Sequence, residues 1–171
     1  MTGRAAVLGL GGRGARWVDT CLAAGWEVAG FDPDDRASAG TDGGAAWHRE
    51  ATISAAVKGA SWVICCLPER LELMRTVIQR AQASAAADAV IAVASTEHDI
   101  EAVQGCAIRP AYVFRLSEGE AGELALDVSG RNDQDLRLRA TEALAALSAA
   151  QSVSGPVGTD PEQATSESRK A

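Results

Sequence analysis

The sequence predicts an α/β chain built as a doubly wound, mostly parallel sheet with helices on both faces. Short apolar runs alternate with amphipathic stretches of helical period, the pattern of successive strand–helix units. The runs are continuous rather than alternating, as in strands covered by helices on both sides. The first thirty-two residues read strand, glycine turn, helix, strand, acid.

Taken in order, the apolar runs place strands near 4–9, 26–31, 44–47, 61–67, 88–94, 110–116 and 123–129. Helices fall between them near 13–24, 51–58, 69–83, 96–105 and 132–149. The helix at 69–83 sets Leu71, Met74 and Ile78 on one face. The last helix does the same with Leu136, Ala140, Leu144 and Leu147, behind Asn132 or Asp133 as N-cap. Thr96 with Asp99 three residues on reads as a capping box for the helix between them and 105. The connection carrying Gly40, Gly43 and Gly44 has room for a small helix only. Beyond Gly155 the chain turns polar, with Pro156, Gly158 and Pro161. The expected organisation is one domain over 1–155 and a disordered tail or helix stump over 156–171.

The glycine turn is Gly9-Leu10-Gly11-Gly12-Arg13-Gly14. After a strand and before a helix, this spacing suits a dinucleotide pyrophosphate. Gly9 allows the tight turn, Gly11 lets backbone approach the phosphates, and Gly14 lets the helix pack closely, with its first N–H groups facing the anion. Asp32 follows Gly14 by 18 residues, close to the spacing of the acid that accepts the ribose hydroxyls. A carboxylate there repels a 2′-phosphate, so NAD is expected over NADP. Arg36, four residues on, argues the other way if it faces the ribose; a solvated loop charge is its alternative reading.

The chain has 171 residues, enough for one domain with a real core, and a formal net charge of -7, which excludes a basic nucleic-acid footprint. No apolar run is long enough to cross a bilayer, and the first strand begins without a signal-like segment, so a cytoplasmic protein is expected. Cys21, Cys65, Cys66 and Cys106 form no C-x-x-C pair, and His48 and His98 are the only histidines, so no metal site is expected. Cys65 and Cys66 lie in a strand, where successive side chains point to opposite faces.

Five segments in order resemble the β-hydroxyacid dehydrogenase family, which includes 3-hydroxyisobutyrate and 6-phosphogluconate dehydrogenases. They are the glycine turn itself, Leu67-Pro68-Glu69, Ala94-Ser95-Thr96, Glu120-Ala121-Gly122-Glu123-Leu124, and Gly155-Pro156-Val157-Gly158. The resemblance implies an NAD-binding Rossmann domain in which Gly9, Leu10, Gly11, Gly12, Arg13, Gly14, Asp32, Leu67, Pro68 and Thr96 meet the cofactor. It implies that Ser117 and Gly119, a reduced form of the family's substrate loop, meet a small hydroxyacid. Arg13 stands where the family has methionine, adding a cation that either pairs with phosphate or points to solvent. The family's catalytic lysine falls on Ala164 and its asparagine on Ser168, and the helical domain that closes the substrate cleft is missing. The NAD domain of 3-hydroxyacyl-CoA dehydrogenases is a weaker resemblance. Its long insertion has no room in the 35 residues between Asp32 and Leu67, and its catalytic histidine segment has no counterpart near 112–120.

Hydride transfer needs a nicotinamide against the substrate carbon and an acid/base at the substrate oxygen. The first need is met in the sequence. For the second, His98, Ser117 and Arg115 are weak candidates, and the acidic run Glu118, Glu120, Glu123 would repel an anion. No residue replaces the missing lysine. Two readings stay open: the cofactor half of a dehydrogenase, whose helical half and lysine come from another chain or from sequence beyond these 171 residues, and a catalytically silent NAD(H)-binding module; a helical-domain partner or a homo-oligomer is the expected assembly.

Overall fold

In a computed structural model the described residues are 3–37, 44–119 and 123–153. The strands are β1 (Arg4–Leu8), β2 (Glu27–Phe31), β3 (Trp47–Arg49), β4 (Trp62–Cys65), β5 (Val90–Ala94), β6 (Val113–Glu118) and β7 (Leu124–Asp127). The helices are α1 (Gly12–Ala23), α2 (Ile53–Val57), α3 (Leu71–Ser84), α4 (Ile100–Gln104) and α5 (Gln134–Val153). One sheet holds all seven strands in the order β3-β2-β1-β4-β5-β6-β7; only β7 runs antiparallel, against β6. This is the doubly wound α/β architecture that the sequence predicts.

Residue alternation along the strands divides the core in two. Ala5, Val7, Val28, Ile64, Ala92 and Phe114 face α1 and α5, joined there by Trp17, Val18, Leu144 and Leu147. Ala6, Leu8, Ala29, Val63, Cys65, Ile91 and Val93 face the other way, against Val57 of α2, Met74 and Ile78 of α3, and Val103 of α4. Cys65 and Cys66 accordingly pack against opposite faces. Burying both faces of a central strand takes apolar surface out of water, and each Å² removed contributes roughly 25 cal/mol to holding the layers together.

The differences from expectation have local causes. The expected strand at 44–47 is a 3-10 turn at Gly44–Ala46 followed by β3, because Trp47, His48 and Arg49 pair with β2 at the sheet edge while Ala45 and Ala46 stay exposed. Pro110–Tyr112 is also a 3-10 turn, so β6 begins at Val113; proline has no N–H to give the ladder. α4 starts at Ile100 rather than 96, since Asp99 is the N-cap and accepts from Ala102 N at 2.7 Å. Asp133 caps α5, accepting from Asp135 N at 2.9 Å and Leu136 N at 3.3 Å. Asn132 is instead buried in a polar cluster. The segments 120–122 and 155–158, the positions Ala164 and Ser168, and the expected tail lie outside the described residues.

Candidate functional site

Sheet order reverses between β1 and β4, so the loops leaving their carboxyl ends diverge and open a crevice. The glycine turn leaves β1 and Leu67-Pro68 leaves β4. Gly9 sits at φ +92°, and a Cβ there would lie 2.2 Å from the Cys66 carbonyl oxygen, so both the turn and its neighbour demand glycine. A Cβ on Gly14 would lie 1.8 Å from the Gly9 oxygen; the close approach is to the turn's own backbone, more than to the sheet. Gly11 and Gly12 are different. Nothing in the chain lies within 4 Å of a Cβ at either position, and Gly11 is the N-cap of α1 with no side-chain cap bond to the first turn.

Asp32 follows β2 and is held in place by two backbone groups. Leu10 N donates to its Oδ2 at 2.7 Å and Asp34 N to its Oδ1 at 2.8 Å. Each carboxylate oxygen keeps a second lone pair for a further donor. Arg49 pins the loop that carries it, donating to the backbone oxygens of Ala37, Asp34 (2.9 Å) and Asp32 (3.4 Å). Sequence reasoning missed this clamp, because its targets are carbonyl groups, which leave no residue signature. Arg36 is exposed and its side chain forms no part of the cleft wall.

Gly9, Gly11, Gly12, Arg13, Gly14, Asp32, Leu67 and Pro68 line one cleft of about 630 Å³. Two expected cofactor residues are not in that wall. The Leu10 side chain is buried in the core under α1, so its contribution is its N–H to Asp32. Thr96 lines a second cavity of about 360 Å³, which also includes Ser117 and shares Arg13 with the first. Gly119, in the connection after β6, is in neither wall; its N–H donates to Glu123 O at 2.8 Å.

Thr96 is engaged elsewhere, which replaces the capping-box reading. Glu69 accepts from Thr96 N (2.8 Å), Thr96 Oγ1 (3.2 Å) and Ser95 Oγ (2.7 Å), tying the loop after β4 to the loop after β5. Arg13 Nη1 stands 3.8 Å from the same carboxylate and 3.4 Å from Ala94 O. Partial burial pushes the Glu69 carboxyl up, but the Thr96 and Ser95 donors and then Arg13 together bring it below its ordinary value. Burial pushes the Cys66 thiol up to about 12 despite Arg13, so the cleft carries a neutral thiol.

The candidate acid/base groups are divided between two cavities: Ser117 and Arg115 line the second, and Arg115 and His98 line a third of about 660 Å³, which also includes Thr96. Arg115 is bound to Asp127 and reaches the oxygens of Ser95 and His98. His98 Nε2 is buried with no hydrogen-bond partner among the described residues, and His98 lies outside the walls of the first two cavities. Among the described residues no group of histidine, cysteine or carboxylate side chains could hold a metal ion, and no helix is long and apolar enough to cross a membrane.

No protein-family model and no curated protein sequence matches the chain. Solved structures do. A diketoreductase matches with a TM-score of 0.74 at 19% identity, covering 86% of this chain and 62% of that one. The (S)-3-hydroxybutyryl-CoA dehydrogenase of Ralstonia eutropha matches with 0.76 at 13%, over 86% and 61%. The prephenate dehydrogenase of A. aeolicus, solved with hydroxyphenyl propionate and NAD+, matches with 0.67 at 10%, over 86% and 58%. At these identities the likeness is one of fold, and the chain spans about three fifths of the length of these proteins. Hydroxyacyl-CoA dehydrogenases recur among the matches, and the particular resemblance to β-hydroxyacid dehydrogenases gains no support.

Proposed function

We propose that the cleft between the glycine turn and Asp32 binds NAD(H), and that the chain is the dinucleotide-binding domain of an oxidoreductase. One observation carries this reading: Gly11 and Gly12 have no neighbour in the chain that requires glycine, yet they open α1 without a capping side chain, in the same cleft wall as Asp32. A diphosphate approaching the first-turn N–H groups needs that space, and the helix dipole favours its charge. Asp32 retains acceptor capacity for two ribose hydroxyls, and the cation nearest along its loop, Arg49, is spent on the backbone oxygens of Ala37, Asp34 and Asp32. The names of the solved neighbours, several of them hydroxyacyl-CoA dehydrogenases, support dehydrogenase chemistry. They favour that class over the β-hydroxyacid class that the short motifs suggest, even though the insertion and histidine segment of that class have no counterpart here.

A specific observation favours the second, catalytically silent reading for the chain on its own. Among the described residues, neither the dinucleotide cleft nor the second cavity contains a histidine or a lysine, and His98 lines only the third cavity, away from the glycine turn. The test of the cofactor assignment is calorimetric titration with NADH, NADPH and ADP-ribose. NADH should bind more tightly than NADPH. Gly11→Val should fold, since its side chain meets only open space, yet lose at least tenfold in affinity for NADH and ADP-ribose alike. Wild-type binding by that variant would refute the assignment.

A further inference from the structure

The open space at Gly11 and Gly12 and the acceptor at Asp32 give the dinucleotide cleft a direction, with its base end beyond Asp32. The wall there is apolar, built from Ile53 of α2 and from Leu73 and Val77 of α3. On α3, Leu73, Val77 and Arg80 stand at i, i+4 and i+7, which is one face of the helix. Arg80 is exposed, and among the described residues its guanidinium has no hydrogen-bond or ion-pair partner. The cleft does not close at Arg80. A further cavity of about 420 Å³ begins there and shares Phe31, Ile53 and Arg80 with it. Its other polar side chains are the hydroxyls of Thr52, Ser54 and Ser84; among the described residues no carboxylate or side-chain amide lines it. Thr52 Oγ1 accepts from Ala55 N at 3.1 Å, which leaves its O–H to give.

We propose that this cleft also takes a 6-oxopurine nucleoside diphosphate, such as guanosine diphosphate, in competition with NAD(H). Its diphosphate meets the first turn of α1, its ribose meets Asp32, and its base lies against Ile53, Leu73 and Val77 with an edge toward Arg80. A guanidinium only donates. A 6-oxopurine presents two acceptors side by side, O6 and N7, and the planar fork matches both. Adenine presents N7 beside an amino group, and Arg80 cannot accept from that amino group. The hydroxyls of the adjoining cavity serve either base, so Arg80 sets the preference. The one carboxylate in the cleft wall, Asp32, is already oriented by Leu10 N and Asp34 N. NAD(H) still binds, because its nicotinamide half adds contacts that a nucleoside diphosphate lacks. The inference rests on the dinucleotide reading for the phosphate and ribose positions and adds a second class of ligand at the base.

The experiment is calorimetric titration of the full chain with guanosine diphosphate and with adenosine diphosphate, followed by NADH titrations at rising guanosine diphosphate. The guanine nucleotide should bind at least about fivefold more tightly than the adenine one, and the apparent Kd for NADH should rise in proportion to its concentration. Arg80→Gln exchanges the fork for one donor beside one acceptor, the complement of adenine, and should lower the guanine-to-adenine ratio at least about fivefold. Arg80→Ala, which removes an exposed side chain and should fold, brings the two nucleotides to equal affinity. Guanosine diphosphate that binds no more tightly than adenosine diphosphate, or a preference that both variants keep, would overturn the proposal. So would tight binding that leaves the NADH affinity unchanged, since the site would then lie outside the cleft. A chain that prefers the guanine nucleotide through Arg80 yet never binds NADH would refute the cofactor reading and leave the base assignment standing.

Discussion

Asp32 concentrates the cofactor argument in one side chain. Its two oxygens already hold Leu10 N and Asp34 N, so the carboxylate is oriented before any ligand arrives. Replacing it by alanine removes a charge-assisted acceptor worth about 1.5–3 kcal/mol to a hydroxyl donor. Asp32→Ala should therefore weaken NADH by roughly tenfold to a hundredfold while NADPH, relieved of repulsion, loses less or gains. Titration of the variant with both nucleotides checks the ratio. Glu69 makes a second prediction at this scale. Its folded carboxyl is held below its ordinary value of 4.5, so ionised Glu69 stabilises the fold above that pH and stops doing so as pH falls through the lowered value. Glu69→Gln should melt below wild type at pH 7, and the gap should close as the pH falls through the lowered value; a gap that stays constant would mean that the carboxylate charge is not what ties Ser95 and Thr96.

At the scale of elements, the parts legible in the sequence are those where one side chain serves one local rule. The central strands, the apolar stripe of α5 and the turn glycines at Gly9 and Gly14 follow from run length, helical period and spacing. What was illegible depends on partners distant along the chain. Thr96 looks like a cap in isolation, and only the return of Glu69 from the neighbouring loop takes both its N–H and its hydroxyl. Asn132 looks like a cap for the same reason. Instead, its Nδ2 donates to Ala111 O (2.9 Å) and Val113 O (3.0 Å), and its Oδ1 accepts from Ser129 N at 2.7 Å. Gln104 and Ser129 complete this buried cluster, which fastens α4 and the start of α5 to β6. Asn132→Leu keeps the volume but strands the Ser129 N–H and the Ala111 oxygen, while the Val113 oxygen keeps Gln104 Nε2 at 2.9 Å. Thermal unfolding should show a loss of about 2–4 kcal/mol, whereas Asp133→Ala, which removes only an exposed cap, should cost about 1 kcal/mol.

Across the whole molecule, chemistry is unevenly placed. The chain carries a formal charge of -7, yet Arg13, Arg70 and Arg80 stand around the dinucleotide cleft and Arg16 beside it. That arrangement is suited to hold anions against an unfavourable overall field. Proton transfer is another matter. The ionisable groups in the two walls are arginines, Asp32, Glu118 and the Cys66 thiol. Arginine does not release its proton in a protein. The Cys66 thiol, pushed up to about 12, is far from the range of a useful acid or base at pH 7. Asp32 sits at the end of the cleft assigned to the adenosine ribose, away from any reacting carbonyl. Glu118 is the one remaining candidate in these two walls, and it is paired with Arg16 at 3.2 Å. The 171 residues should therefore saturate with NADH while oxidising it, in the presence of a small oxo acid, no faster than buffer does. A fluorescence titration run beside an absorbance assay at 340 nm, both with the same oxo acid, reads the two quantities on one sample. Turnover above background that disappears in Glu118→Gln would make Glu118 the proton donor and end the silent-module reading. Turnover that survives that substitution would place the donor outside both cavities.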